Sequence, residues 1–166
     1  MTIKKEKGFT LIEILIVVAI IAVLASIVIV GVGPAQQSGR DARRISDLQN
    51  VRNGLQLYYS KCGFYPGATS GSTLCPAQTN SYAGMTTALT GSNLGISSIP
   101  VDPSSNRNYY YAASADGSSY TLGAVLENPN NSVFNGYTAP TAVIPTSIPG
   151  GTCAYTTTQP NYCVSL

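Results

Sequence analysis

The sequence predicts an α+β fold in which a long N-terminal helix packs on a small antiparallel β-sheet head. The first observation is an apolar run between Gly8 and Val32, which has the length of a membrane-crossing helix. The second is a repeat with spacings of three and four residues, which predicts that an amphipathic helix follows; its apolar members are Ile45, Leu48, Val51, Leu55 and Tyr58. The third is the change, after Lys61, to short segments separated by Gly, Pro, Ser and Asn.

These observations divide the chain into four parts. They are a polar leader (1–8), a transmembrane and assembly helix (9–33), an amphipathic helix that packs on the head (34–60) and a globular head outside the membrane (61–166). A kink or a local loss of helix is expected at Gly31, Gly33 and Pro34, because proline removes a backbone donor and clashes with the preceding turn.

Glu13 is the one charge inside the apolar run, and a carboxylate there needs a partner. Such a charge costs on the order of 2.5–3.5 kcal/mol near the centre of a bilayer. Cleavage after Gly8 would free an α-amine on Phe9, four residues from Glu13 and therefore on the same helix face. The alternative partner is the amine of a neighbouring copy packed with a stagger, and both alternatives require cleavage first.

Two simpler interpretations compete with this one. The basic leader and apolar core also suit an ordinary secretory signal, with Val23-Leu24-Ala25 as a loose cleavage site, but the apolar run continues to Val32. A plain transmembrane anchor also fits the hydropathy, but it leaves Glu13 unexplained.

The segment Gly8-Phe9-Thr10-Leu11-Ile12-Glu13, followed by the apolar run, resembles the class III signal of type IV pilins and the related pseudopilins. The resemblance covers about the first third of the chain. It implies that a prepilin peptidase cuts after Gly8 and methylates Phe9, and that Glu13 then guides subunits into a helical filament. It also implies a pilin-like fold, storage in the membrane with the head on the extracytoplasmic side, and an assembly platform with an ATPase as indirect partners.

The charge balance argues against a strongly basic nucleic-acid binder. The chain has nine Lys and Arg against seven Asp and Glu, and loss of the leader with three Lys and one Glu leaves six of each. Nucleic acid is therefore a possible but unsupported partner. The clustered Arg40, Arg43, Arg44 and Arg52 are expected to contact phospholipid head groups or acids on neighbouring helices, such as Asp41 and Asp47.

Histidine is absent from the sequence, which removes the usual general base of hydrolases and a common metal ligand. We predict neither an enzyme nor a cofactor. Four cysteines after the helix predict two disulfides on the exported side of the membrane. Of three possible pairings, Cys62–Cys75 and Cys153–Cys163 are preferred because each closes a short loop. A zinc site is a weaker alternative without a Cys-x-x-Cys pair.

The clearest strand signal in the head is a hairpin around Asp116-Gly117. With this turn, the numbers of two residues that face each other add up to 233. This pairs Tyr111 with Leu122, Ala113 with Tyr120 and Tyr109 with Ala124. The apolar face of the hairpin should then pack on the stripe from Ile45 to Tyr58. A short helical turn is expected at Met85 to Leu89, and an extended, irregular cover at 135–151.

The stretch from Val101-Asp102-Pro103 to Tyr109–Tyr111 loosely resembles the head of major pseudopilins, which typically bind calcium in an acidic loop. Asp102, Asp116 and Glu127 are candidate oxygen ligands, but turn formation and surface charge explain them more simply.

The sequence therefore indicates a type IV pilin-like structural subunit. The first alternative is a pseudopilin of a type II secretion or DNA-uptake system. The second, from another class, is a membrane-anchored binding module that stays monomeric and binds carbohydrate or DNA through its tyrosine-rich head.

Overall fold

A computed structural model describes residues 8–69, 71–141 and 143–166, and all of their side chains except those of 27–31. Most of the predicted leader, residues 1–7, lies outside the described residues. The chain divides into two compact units, Met1–Gln36 and Gln37–Leu166. Its helices are α1 (Leu11–Cys62) and α2 (Tyr82–Gly91), and its strands are β1 (Tyr110–Ala113), β2 (Tyr120–Val125) and β3 (Asn161–Ser165). The predicted α+β fold is confirmed.

Helix α1 is a single element of 52 residues that contains Pro34. The local loss of helix expected at Gly31–Pro34 is therefore wrong. A proline inside a helix removes one N–H donor, but the hydrogen bonds on either side of it can continue.

The sheet is antiparallel, with the order β1-β2-β3. Its first two strands pair Tyr111 with Leu122 and Ala113 with Tyr120, so the predicted hairpin register is confirmed. The predicted pair between Tyr109 and Ala124 is wrong, because β1 begins at Tyr110.

The hairpin turn is longer than predicted. The Ser114 amide donates to the Ser119 carbonyl at 3.0 Å, and the Gly117 amide donates to the Ser114 carbonyl at 2.9 Å. The chain therefore reverses over 115–118 rather than over Asp116 and Gly117 alone. Gly117 has φ +70°, a left-handed conformation that glycine adopts without a steric penalty.

The apolar face of the hairpin packs in one cluster with the repeat of α1, as predicted. The buried members of this cluster from α1 are Leu48, Val51, Leu55 and Tyr58, and those from the hairpin are Tyr111, Ala113, Tyr120, Leu122 and Ala124. Helix α2 adds Met85 and Leu89, and it is longer than the helical turn expected there.

The C-terminal strand β3 was not predicted. It pairs Val164 with Leu122 and Tyr162 with Ala124, and thereby covers the far edge of β2. A second, smaller apolar cluster lies beside it, formed by Ile148 and the cystine Cys153–Cys163. Within the described part of 135–151, the only regular element is a short 3-10 turn, Pro149–Gly151, which agrees with the expected irregular cover.

Candidate functional site

The predicted cleavage site lies just before the first helix. Gly8, Phe9 and Thr10 are non-helical and exposed, and α1 begins at Leu11. The aromatic side chain of Phe9 is 82% exposed. The Gly8–Phe9 peptide bond is therefore outside the helical hydrogen-bond ladder, in the irregular conformation that a peptidase can bind.

Thr10 and Glu13 together start the helix. The Glu13 carboxylate accepts hydrogen bonds from the Thr10 amide (3.0 Å) and from the Thr10 hydroxyl (2.9 Å), and the Glu13 amide donates to Thr10 Oγ1 at 3.3 Å. These reciprocal contacts form a capping box. Glu13 thus has a partner inside its own chain while Phe9 is still in a peptide bond. Thr10 was not predicted as this partner, although the spacing Thr-x-x-Glu is the ordinary signal for the motif.

The first turns of α1, around and after Glu13, expose almost only apolar side chains. Each of the following is 50% exposed or more: Leu11, Ile12, Ile14, Leu15, Ile16, Val17, Val18, Ile20, Ile21, Val23 and Leu24. A surface of this kind is costly in water and needs a cover of lipid or protein. Among the residues whose side chains are described, no helix reaches the length and apolarity needed to cross a membrane.

The head contains a buried ion cluster around Arg44. Its guanidinium binds three carboxylates: Asp41 at 2.8 Å, Asp102 at 2.8 Å and Glu127 at 2.9 Å. The side chains of Arg44 and Asp41 are fully buried, and that of Asp102 is 1% exposed. Arg40 adds a second guanidinium, whose Nε donates to Glu127 at 2.8 Å. Charged groups without water need such complete pairing.

The same cluster joins α1 to the chain on both sides of the hairpin. The Asp41 carboxylate accepts hydrogen bonds from the backbone amides of Glu127 and Asn128, both at 2.9 Å. Arg44 also donates to Ser104 at 2.9 Å, next to Asp102. Two segments that are far apart in sequence are thus fixed to one turn of the helix.

The paired charges shift the pKa values of the cluster. The hydrogen bond from Arg40 and the charge of Arg44 lower the pKa of Glu127 from 4.5 to about 2, although burial opposes this change. Burial would lower the pKa of Arg44, but its hydrogen bonds to Asp102 and Glu127 outweigh burial and raise that pKa. Both groups are therefore charged at neutral pH.

Arg40, Arg43 and Arg44 contact acids of their own chain, including the named Asp41 and Asp47, whereas the expected contact was with acids on neighbouring helices or with phospholipid head groups. Arg44 pairs with Asp41, and Arg43 lies 3.8 Å from Asp47. Asp102 and Glu127 were missed as arginine partners because nothing local in the sequence connects them with α1. Asp47 has a second contact, since the Tyr109 hydroxyl donates to it at 2.7 Å in the buried core.

The candidate calcium ligands do not fit a calcium site. Asp102 and Glu127 direct their oxygens at the Arg44 guanidinium, which excludes a cation from that position. Asp116 lies in the hairpin turn and accepts hydrogen bonds from the Ser118 amide and hydroxyl. Within the described ranges, no group of three or more acidic, histidine or cysteine side chains is arranged to hold a metal ion.

The four cysteines form the two preferred pairs. Cys62 bonds Cys75, with a Cα–Cα distance of 6.0 Å, and Cys153 bonds Cys163, with 5.8 Å. The first bond ties the end of α1 to the loop after it. The second ties the start of the C-terminal loop to β3.

Residues 3–29 match the family described as the prokaryotic N-terminal methylation motif. Among curated proteins, the type II secretion system core protein G of Escherichia coli (strain K12) is 34% identical over 67 residues, which make up 40% of this chain and 46% of that protein. The protein of the same name from Klebsiella pneumoniae is 31% identical over 68 residues, or 41% of this chain and 49% of the relative. The protein of the same name from Aeromonas hydrophila is 28% identical over 68 residues, which make up 41% of this chain and 48% of that relative.

The chain thus spans about half the length of the curated relatives it matches. No solved structure matches it. The methylation motif covers Gly8, Phe9 and Glu13, and all three of these relatives are core proteins of type II secretion. With its methylation motif, its N-terminal helix and its small antiparallel sheet, this chain resembles the type IV pilins and type II secretion pseudopilins, and the sequence similarity to the curated relatives covers about 40% of its length.

Proposed function

We propose that this chain is a structural subunit that is stored in the membrane and polymerised into a helical filament through its N-terminal helix. The observation that carries the proposal is the continuous exposed apolar surface from Leu11 to Leu24, with Glu13 as its one carboxylate. Such a surface can be buried in two environments: in the bilayer before assembly, and in a bundle of identical helices afterwards. The head stays on the extracytoplasmic side, where its two disulfides are stable.

The subunit is activated by cleavage. A prepilin peptidase cuts the exposed Gly8–Phe9 bond and methylates the new amine of Phe9. This amine carries a positive charge close to the Glu13 carboxylate, whose partner in the uncleaved chain is Thr10. Glu13 then pairs with an amine, its own or that of a neighbouring subunit, and a subunit out of register leaves its acid unpaired at a high cost in an apolar bundle.

The chain performs no catalysis in this scheme. Movement of subunits between membrane and filament is supplied by an ATPase and a membrane platform, which are partners and not parts of this protein. The pilin and pseudopilin family is structural, which agrees with a filament subunit.

A second candidate within the same machinery is a pseudopilin, whose filament is short and periplasmic. The relatives from Escherichia coli, Klebsiella pneumoniae and Aeromonas hydrophila favour it, since each carries the name of a type II secretion core protein. Electron microscopy of cells that express the chain at its native level separates the two candidates. Long surface filaments made mainly of this chain indicate a pilin. If such filaments are absent and protein secretion by the cells requires this chain, the chain is a pseudopilin.

The processing step is tested by co-expression of the full chain with a prepilin peptidase, followed by mass spectrometry of the mature N-terminus. We expect a chain that begins at Phe9 and carries one added methyl group. A first residue other than Phe9, or a chain that stays uncleaved and monomeric, rejects the processing step and favours the membrane-anchored binding module.

The role of Glu13 is tested separately with Glu13→Ala, which we expect to insert in the membrane but to assemble poorly. Ser26→Ala is the matched control, because Ser26 is also polar, lies in the same helix and only donates a local hydrogen bond to the Val23 carbonyl at 2.7 Å. Filaments of Glu13→Ala that are as abundant as those of the control would remove the role assigned to the acid.

A further inference from the structure

The head carries a surface cavity of about 700 Å³ that the filament function does not use. It is bounded by the first turn of α2 around Tyr82, by the loop 101–108, by Tyr109 and Tyr110 at the start of β1, and by Ser147. This volume lies in the range of cavities that bind small ligands. All of these residues belong to the unit Gln37–Leu166.

The aromatic walls of the cavity are held in place. The Tyr82 hydroxyl donates to the Pro100 carbonyl at 2.8 Å, and the Tyr109 hydroxyl donates to Asp47 at 2.7 Å. The two rings lie 5.7 Å apart, and Tyr110 packs on the apolar cluster at the cystine Cys153–Cys163. Rigid rings lose little conformational entropy when a ligand stacks on them, and the half-buried Tyr82 and Tyr110 offer that surface, while the buried Tyr109 supports Tyr82 from behind.

The charges at the cavity are mostly engaged elsewhere. Asp102 pairs with the Arg44 guanidinium, and Arg107 donates through Nη1 to the carbonyls of Val125 and Leu126 at 3.1 and 3.2 Å. The neighbouring C-terminal part of the head, residues 128–166, contains no Lys, Arg, Asp or Glu. This surface therefore offers no cluster of unpaired charges of one sign to attract a highly charged polymer. Nucleic acid in particular needs a basic surface.

Neutral hydrogen-bonding groups complete the lining. Ser105, Asn108 and Ser147 are exposed, and within the described residues their side chains form no hydrogen bond to another protein group. Each can donate and accept. The ligand that uses a rigid aromatic wall together with neutral hydroxyl and amide groups is a sugar, because a pyranose ring offers an apolar face of C–H groups and a rim of hydroxyls.

We infer that this cavity binds a saccharide chain. The full chain, purified in a zwitterionic detergent without a sugar head group, is titrated by calorimetry with four neutral oligosaccharides: cellotetraose, maltotetraose, chitotetraose and mannotetraose. The test variant is Ser105→Ala/Asn108→Ala, which removes two exposed polar groups from the cavity. The matched control is Ser97→Ala/Asn130→Ala, which removes the same groups from exposed positions that do not line it.

We expect at least one of the four oligosaccharides to bind, and the test variant to weaken this binding about tenfold, the effect of losing two ordinary hydrogen bonds. The control should bind like the unchanged chain. Absence of binding by all four sugars, or equal losses in both variants, would overturn the proposal. Binding of inorganic phosphate that disappears in Arg107→Gln, without sugar binding, would assign the cavity to an anion and overturn it as well.

Discussion

The guanidinium of Arg44 and the carboxylate of Asp102 form a bidentate ion pair that is closed off from solvent. Nε donates to Oδ2 and Nη2 donates to Oδ1, both at 2.8 Å, and neither side chain is more than 1% exposed. Because Asp41 and Glu127 share the same guanidinium, one positive side chain neutralises much of the negative charge of three acids.

Arg44→Met should lower the free energy of unfolding by about 3–5 kcal/mol, because it leaves Asp41 and Asp102 buried without their cation. The matched control is Arg43→Met, whose ion pair with Asp47 is 3.8 Å long and whose side chain is 62% exposed. It should change the free energy of unfolding by less than about 1 kcal/mol. The free energies of unfolding of both variants are measured by urea unfolding of the full chain in detergent, monitored by the near-ultraviolet circular dichroism of its tyrosines. Equal losses in the two variants would contradict the structural role of Arg44.

The stability of the head should fall in acid through Glu127. The folded pKa of this group, about 2, lies below its ordinary value of 4.5, so the stabilisation that it gives is complete above pH 4.5 and disappears as the pH falls toward 2. The loss should reach a few kcal/mol. In Glu127→Gln the free energy of unfolding should start lower at neutral pH and depend less on pH across this window. A pH profile parallel to that of the unchanged chain would reject this assignment.

The local features of the head were predictable from the sequence, whereas its long-range features were not. The alternation of Tyr111, Ala113, Tyr120 and Leu122 determines the hairpin register, because a shift by one residue would turn the apolar face to solvent. The predicted turn is shorter than the observed one. Asp116-Gly117 has the composition of a two-residue turn, but the hydrogen bond between Ser114 and Ser119 closes the hairpin around four residues.

Strand β3 and the partners of Arg44 depend on contacts that are distant in sequence. β3 is short, and its segment Asn161–Ser165 contains a cystine residue, so its pattern alone does not predict a strand. Arg44 meets Asp102 and Glu127 only because the segments on either side of the hairpin pack against α1 in the folded head. The capping box at Thr10 is different, because the Thr-x-x-Glu spacing that forms it is local in the sequence.

Removal of divalent cations should leave the thermal midpoint of unfolding unchanged. The oxygens of Asp102 and Glu127 that would serve as calcium ligands are bound to Arg44, so neither excess EDTA nor excess Ca²⁺ should shift the midpoint by more than about 1 °C. Arg44→Ala is the informative comparison, because it removes the cation that Asp41 and Asp102 share and should make the midpoint rise with added Ca²⁺, while Glu127 keeps its hydrogen bond from Arg40. A fall of the midpoint in EDTA for the unchanged chain would show that a cation is part of the fold.

Gly117→Ala should destabilise the head by more than a left-handed conformation alone explains. Gly117 has φ +70°, and a Cβ there would approach the Cβ atoms of Phe64 and Ala68 to 2.7 and 2.9 Å. The matched control is Gly95→Ala, which has φ +76° and no atom within 4 Å of the added Cβ. Backbone strain costs roughly 1–2 kcal/mol at both sites, and the clash should add about 1–3 kcal/mol at Gly117 only. Equal free energies of unfolding for the two variants would mean that the turn moves away from Phe64 and Ala68.

Thr10→Val should loosen the start of α1, because it removes the hydroxyl that donates to the Glu13 carboxylate and accepts from the Glu13 amide. Loss of a capping side chain costs about 1 kcal/mol, which corresponds to roughly fivefold faster exchange of the amide hydrogens in the first helical turn. Thr10→Ser keeps the hydroxyl and serves as the control. Hydrogen exchange of the uncleaved chain in bicelles, resolved by mass spectrometry, measures the difference. If Thr10→Val and Thr10→Ser exchange at the same rate, the Thr10 hydroxyl does not hold Glu13, and the acid depends on another partner before cleavage.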